Sequence, residues 1–351
     1  MLIVQDAIPQ PEIVNPDAIK NIRLRKKKKY TCDEYVTGIL NGNRVIMGQA
    51  ITLVESLLPE HNELAQQIIE RCLPYSGKSI RIGVTGVPGA GKSTFIEAFG
   101  KYLTSLGHKV AVLAIDPSST RTRGSILGDK TRMEDLSTDE NAFIRPSPSA
   151  GTLGGVARKT HEIIFLCEAA GFDVVLVETV GVGQSETAVH SMVDFFLLVL
   201  IAGAGDELQG IKRGIMEMAD AIIINKADGD NIDKANLAAR SYANALHLFP
   251  PTDSGWTPKV LTCSSIQNHG VSDIWTMISD YKSLTTTNDY FYIKRNKQSL
   301  DVMYSTINEQ IKYKFYNNEA VMEKIPEIEK SVISGKCSSY TAAKKLLDIV
   351  K

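Results

Sequence analysis

Gly86-Val87-Pro88-Gly89-Ala90-Gly91-Lys92-Ser93-Thr94 decides the fold. Its spacing, Gly-x4-Gly-Lys-[Ser/Thr], is that of a phosphate-binding P-loop. Glycines let backbone N–H groups close around phosphates, Lys92 reaches the outer phosphates, and the Ser93 hydroxyl binds Mg²⁺. The flanks agree with this reading. Ile80-Arg81-Ile82-Gly83-Val84 reads as a short buried strand entering the loop, and Phe95, Ile96, Phe99, Leu103 and Leu106 recur at helical spacing as far as Gly107. The loop is thus expected to open a helix whose N-terminal dipole faces an anion, with residues 86–94 cradling a nucleoside triphosphate.

Outward from the loop, continuous apolar runs recur: Val110–Ile115, Ala142–Ile144, Val174–Val177, Phe195–Ile201, Ala221–Ile224 and Val260–Cys263. Continuous rather than alternating runs fit strands covered on both faces, as in a doubly wound, mostly parallel α/β sheet. In such sheets ligands bind beyond the carboxyl ends of the strands. The chemically loaded residues stand there: Asp116, Arg145, Glu178, Gly203, Asp206, Asn225 and Ser264 each follow a predicted strand.

Asn225-Lys226-Ala227-Asp228 selects the base. A carboxylate at Asp228 matches the adjacent N1–H and 2-amino donors of guanine, whereas adenine would leave it unpaired. GTP and GDP are therefore the expected ligands, with Ser264-Ser265-Ile266 supplying backbone contacts around the base. Mg²⁺ takes one or two protein oxygens besides phosphate, and Asp116, Asp129 and Glu178 are the carboxylates available beside Ser93. Glu178 directly abuts Val174-Val175-Leu176-Val177, an awkward place for a charge without a cation. Thr179-Val180-Gly181-Val182-Gly183-Gln184 has the glycine freedom of a switch segment, and the Gln184 amide could orient an attacking water. Lys92, Asp116, Glu178 and Gln184 form the expected catalytic set. Arg121, Arg123, Lys130 and Arg132 share one polar loop, where solvation is the simpler reading.

Residues 1–30 carry prolines without apolar periodicity and read as an extended or mobile arm ending in a basic run, Arg23 to Lys29, to which no function is given. Residues 31–77 read as an N-terminal helical segment, 78–285 as the nucleotide domain, and 286–351 as a C-terminal helical segment. In the last, Leu300, Met303, Ile307, Ile311 and Phe315 fall on one helical face, and a second apolar set follows Ser338-Ser339. The segment's aromatic start, Tyr290-Phe291-Tyr292, could pack on its own core or on a second subunit, with the interface slightly favoured. With 351 residues, 43% of them hydrophobic, and a net charge of −1, the chain can bury a sizeable core, and nothing global favours nucleic acid or an acidic membrane surface. The five cysteines are scattered and show no Cys-x-x-Cys spacing, which points to a reducing compartment, the cytoplasm by default. No stretch has the length of a transmembrane helix.

Together these segments resemble the MeaB/ArgK/MMAA family of P-loop GTPases. The resemblance covers roughly residues 30 to 351 and also rests on Ile115–Thr122, Gly124–Met133, Arg145–Ser149, Gly151–Val156, Glu178–Glu186 and Gly203–Lys212. It implies a homodimeric GTPase that acts as chaperone to an adenosylcobalamin-dependent acyl-CoA mutase, most often methylmalonyl-CoA mutase, gating cofactor delivery and protecting the enzyme. On that resemblance Ser93, Asp116, Asp129 and Glu178 form the Mg²⁺ and phosphate-side set, Gly203–Lys212 a further switch, and the C-terminal helices the dimerisation element. Arg123 departs from the pattern, standing where family members often have glycine. Two other readings share the nucleotide core. A nickel-insertion GTPase would need clustered soft or imidazole ligands, and the six histidines are dispersed. A P-loop kinase would need a phosphate acceptor.

Overall fold

The computed structural model describes residues 30–116, 133–148, 153–179, 185–203 and 213–350. Seven strands form one sheet: β1 (Ile80–Gly86), β2 (Val110–Asp116), β3 (Ala142–Pro148), β4 (Val174–Thr179), β5 (Phe195–Ile201), β6 (Ala221–Asn225) and β7 (Lys259–Thr262). All pair in parallel, in the order β3-β2-β4-β1-β5-β6-β7. The doubly wound reading holds. Each residue of β1 is buried because both faces are covered. Alternate residues then serve different cores: Ile80, Ile82 and Val84 join one cluster with Phe195, Leu197 and Val199, whereas Phe196 faces the other side.

The first face is closed by α4 (Lys92–Ser105), which follows β1, and by α10 (Val271–Thr287). Phe95, Phe99 and Leu103 on α4 pack there with Ile274, Ile278 and Tyr281 on α10. The other face takes α6 (Leu153–Ala169) and the three N-terminal helices α1 (Cys32–Leu40), α2 (Arg44–Glu55) and α3 (Pro59–Cys72). Ile39, Met47, Ile51 and Ile68 share a cluster with Val175, Val177 and Cys167, so the N-terminal helices are part of the main core. Thr31 and Glu34 close α1 with a capping box, and Asn43 caps α2. Short helices α5 (Glu134–Ser137), α7 (Ser185–His190) and α8 (Arg213–Met218), with α9 (Ile232–Leu246), complete the layers.

Several strand ends differ from the sequence expectation. β3 runs through to Pro148, so Arg145 lies inside it, and Glu178 is the penultimate residue of β4 instead of following it. Asp116 and Asn225 are themselves the last residues of β2 and β6, and β7 ends at Thr262. The ladder is made by backbone groups, so a polar side chain does not end a strand whose N–H and C=O still have partners. Arg145 bonds Glu55 and Thr52 at the end of α2, and Lys159 donates to the Glu55 carbonyl at 2.7 Å. Arg145 therefore ties the sheet to the N-terminal helices.

After α10 come α11 (Tyr290–Tyr316), α12 (Glu319–Ile333) and α13 (Ser339–Asp348), the last capped by Ser338. The start of α11 is fastened to the amino ends of the strands. The Arg295 guanidinium bonds both Asp194 oxygens at 2.7 and 2.6 Å and the carbonyls of Gly77 and Ser79 at 2.7 and 2.8 Å. Gln298 donates to the Val193 carbonyl at 2.9 Å. Farther along, Leu300, Met303, Ile307 and Ile311 are exposed, so this face is not spent on the chain's own core. Phe291 is buried and Tyr292 exposed. No helix of the described residues is long and apolar enough to cross a membrane.

Candidate nucleotide site

The loop between β1 and α4 is built by glycines that nothing else can replace at two points. Gly86 has φ +149, and a Cβ there would sit 1.9 Å from the Val199 carbonyl oxygen of β5. Gly91, at φ +83, would drive one into the Asn225 amide at 2.8 Å. With Gly89 also at positive φ, the backbone turns back over the start of α4, whose first N–H groups carry the positive end of the helix dipole. Val87 accepts from the Ala90 N–H at 3.2 Å, completing the turn across Pro88, and Thr94 follows Ser93 in the first turn of α4.

Lys92 is only 8% exposed and donates to the carbonyls of Gly86 and Val87 at 2.9 and 3.2 Å. Burial pushes its ammonium below the usual lysine range, and the Glu178 and Glu186 carboxylates act in the opposite direction. Two carbonyls and two acidic residues nearby thus hold a cation at the mouth of the loop. An anion with several oxygens would satisfy it better than the carbonyls do.

Ser93 Oγ donates to Glu178 Oε1 at 2.9 Å. This pair joins α4 to the end of β4 and puts two hard oxygen ligands beside Lys92. β4 pairs with β1 on one side and β2 on the other, setting Glu178 level with Val84 and Ala114, and Thr179 level with Ile115. Asp116 ends the β2 backbone one residue farther on. The hydroxyls of Thr179 and Thr85 meet at 2.9 Å, a buried link between β4 and β1 that sequence reading had no means to find. Among the described residues no group of three His, Cys, Asp or Glu could hold a metal. Oxygen donors limited to a hydroxyl and one or two carboxylates suit Mg²⁺, which keeps its remaining positions for water and phosphate. Asp129 and Gln184 lie outside the described residues, as do Arg121, Arg123, Lys130 and Arg132, residues 204–212, and the basic run.

The end of β6 is stitched to the loop. Asn225, 1% exposed, donates Nδ2 to the Ala90 carbonyl at 2.9 Å and accepts at Oδ1 from Ser265 Oγ at 2.8 Å, Ser265 N at 3.3 Å and Cys263 Sγ at 3.3 Å. Lys226 has φ +60, unusual for a residue with a side chain. Asn231, whose Nδ2 donates to the Lys226 carbonyl at 2.7 Å, helps to hold it. The Lys226 stem passes the loop, its Cε 3.8 Å from where a Cβ on Gly91 would be.

Ser264 Oγ donates to Asp228 Oδ2 at 2.5 Å. One carboxylate oxygen is thus fixed and Oδ1 has no partner among the described residues. Where backbone contacts were expected from Ser264 and Ser265, both side chains and the Ser265 N–H are already committed to Asn225 and Asp228. Ile266 is 78% exposed and stands in a tight loop closed by the Ser264–His269 bridge. The structure brings residues 86–94, 178, 225–228 and 264–265 together at the carboxyl edge of the sheet.

A family model described as "Methylmalonyl Co-A mutase-associated GTPase MeaB" matches residues 47–320. A Caulobacter vibrioides protein named "Putative GTPase" is 52% identical over 309 residues, covering 88% of this chain and 94% of its own. A Mus musculus protein named "Methylmalonic aciduria type A homolog, mitochondrial" is 46% identical over 338 residues, covering 93% of this chain and 81% of its own. Among solved structures, one described as a "LAO/AO transport system kinase" superposes with a TM-score of 0.74 at 40% identity, covering 92% of this chain and 98% of that one. A P-loop motif between β1 and α4 and a family match across most of the chain lead to one conclusion: this protein belongs to the MeaB/ArgK/MMAA family and is a GTPase.

Proposed function

We propose that this GTPase is a switch that serves an adenosylcobalamin-dependent acyl-CoA mutase, methylmalonyl-CoA mutase being the first candidate, by gating cofactor loading and protecting the loaded enzyme. The observation that carries the switch is the Ser93–Glu178 contact at 2.9 Å. It couples the phosphate loop to the end of β4, immediately ahead of residues 180–184. A ligand that draws Ser93 and Glu178 toward itself therefore acts directly on that segment and on α7 behind it. The choice of partner is supported by the family description and by the name of the mouse relative.

Within this reading Lys92 gives up the Gly86 and Val87 carbonyls for phosphate oxygens. Asp228 Oδ1 accepts from guanine while Ser264 keeps the carboxylate in place, and Asn225 holds the loop against the base-reading strand. Ser93, Glu178, Asp116 and Asp129 would hold Mg²⁺, which when bound neutralises charge on the phosphate oxygens. Gln184 is assigned to orienting the water. The exposed face of α11, with α12 and α13, forms a homodimer, and the protein works in the cytoplasm.

Lys92→Ala is the direct test. It should abolish GTP hydrolysis and any nucleotide-dependent effect on the mutase while leaving the oligomeric state of the wild type. Mixing the wild-type protein with the cobalamin-dependent mutases of its own cell should accelerate GTP turnover; turnover unchanged by all of them would sink the mutase reading and leave the GTPase intact. Release of the γ-phosphate as inorganic phosphate, instead of its transfer to an acceptor, separates this function from that of a kinase.

A further inference from the structure

At the opposite end of the sheet from the nucleotide, a cleft of about 560 Å³ opens between the amino ends of β1, β2 and β4 and the second half of α10. β1 alone spans seven residues, about 20 Å, so the cleft and the phosphate loop are separate places. Its volume falls in the range of about 300–1,000 Å³ typical of small-molecule clefts. Ile80 and Val174 give it an apolar floor and Trp275 an aromatic wall.

The charge balance along this cleft is uneven. Lys78 and Lys282 line it, and neither has an ion-pair partner among the described residues. The carboxylate beside them, Asp173, is already committed: Oδ2 lies 2.6 Å from His108 Nδ1, and Oδ1 accepts from the Lys109 N–H at 2.7 Å. That bond fixes the His108 ring, which stands edge-on to Trp275 with centroids 5.0 Å apart. The other nearby acid on α10, Asp280, is paired with Lys259 at 3.8 Å and does not line the cleft. Lys282, Ser283 and Thr286 add one ammonium and two hydroxyls from a single stretch of α10. Two ammonium groups against one carboxylate, with hydroxyl donors, an oriented imidazole and an aromatic wall, leave the lining net positive and match an anion carried on a flat apolar body.

We propose that this cleft is a second ligand site, distinct from the GTP site, that binds a small aromatic phosphate monoester. The phosphate is held between Lys78 and Lys282, and the ring lies along Trp275 above Ile80 and Val174.

The two tryptophans make the site testable by fluorescence, since Trp256 is buried and donates its indole N–H to the Asp220 carbonyl at 2.9 Å, away from the cleft. Phenyl phosphate is titrated into full-length protein saturated with Mg²⁺ and GDP, which keeps the nucleotide site filled. The expected result is a saturable change in emission that disappears in Trp275→Phe and requires at least tenfold more ligand in Lys78→Gln and in Lys282→Gln. GDP affinity should stay unchanged in both lysine variants, showing that they fold. Inorganic phosphate over the same range should give no saturable change. A flat titration, an undiminished response in the lysine variants, or inorganic phosphate matching phenyl phosphate would each overturn the proposal.

Discussion

Asp228, the proposed reader of the base, has one oxygen held by Ser264 and the other without a partner among the described residues. Specificity at this residue is a matter of donors and acceptors, so exchanging the carboxylate for an amide should re-aim it. Asp228→Asn should weaken GTP binding by about a hundredfold or more, the order expected when a site built around particular hydrogen bonds loses them. It should also favour xanthosine triphosphate, whose C2 carbonyl can accept from the new amide. Competition of both nucleotides against a fluorescent GDP checks this. Gly86→Ala tests the backbone instead. A methyl group 1.9 Å from the Val199 carbonyl cannot be accommodated without moving β5. Loss of nucleotide binding and a thermal midpoint lower by several degrees are expected from calorimetry. Contiguous motifs made these residues legible in the sequence. Ser93 and Glu178 are 85 positions apart, and only the pairing of β1 with β4 sets them together. The roles of Thr85, Asn231 and the serine hydroxyls depend on rotamers and loop closure, which leave no pattern in spacing.

At the level of elements, runs of apolar residues marked every strand of the sheet, most fully the central strands β1, β4 and β6, where burial on both faces writes itself into composition. Strand order and the exact carboxyl ends were not marked, since backbone pairing ignores side-chain polarity. Arg145 shows the difference: it looked like a residue beyond a strand, and it sits within β3 holding the end of α2. The attachment of α11 was equally invisible. Arg295 and Asp194 are 101 residues apart, and each is nearly closed to solvent. Breaking such a pair from one side leaves an uncompensated buried charge. Asp194→Ala should therefore cost about 3–5 kcal/mol in urea unfolding, while a double change of Asp194 and Arg295 to apolar residues should cost less than the sum of the two single changes.

For the whole molecule, two faces meet different demands. The carboxyl edge of the sheet carries the candidate nucleotide site, and α11 beyond Gln298 carries Leu300, Met303, Ile307 and Ile311 in the open. A dimer formed on that face predicts that Ile307→Glu together with Ile311→Glu yields a monomer in sedimentation velocity while GDP affinity stays as in the wild type. A wild-type protein that is monomeric at all concentrations would remove the assignment.

The fastening of α11 by Arg295 and Gln298 has a mechanical consequence. The helix has 27 residues, about 40 Å, of which the part beyond Gln298 extends about 27 Å from its mooring. It is a boom stepped at the base of β5. A rotation of about 5° at the step sweeps the tip near Tyr316 through about 2 Å, more than the slack in a packed interface. A shift at Val193 and Asp194, just ahead of β5, too small to disturb the sheet is therefore enough to change what the far end of the helix can touch.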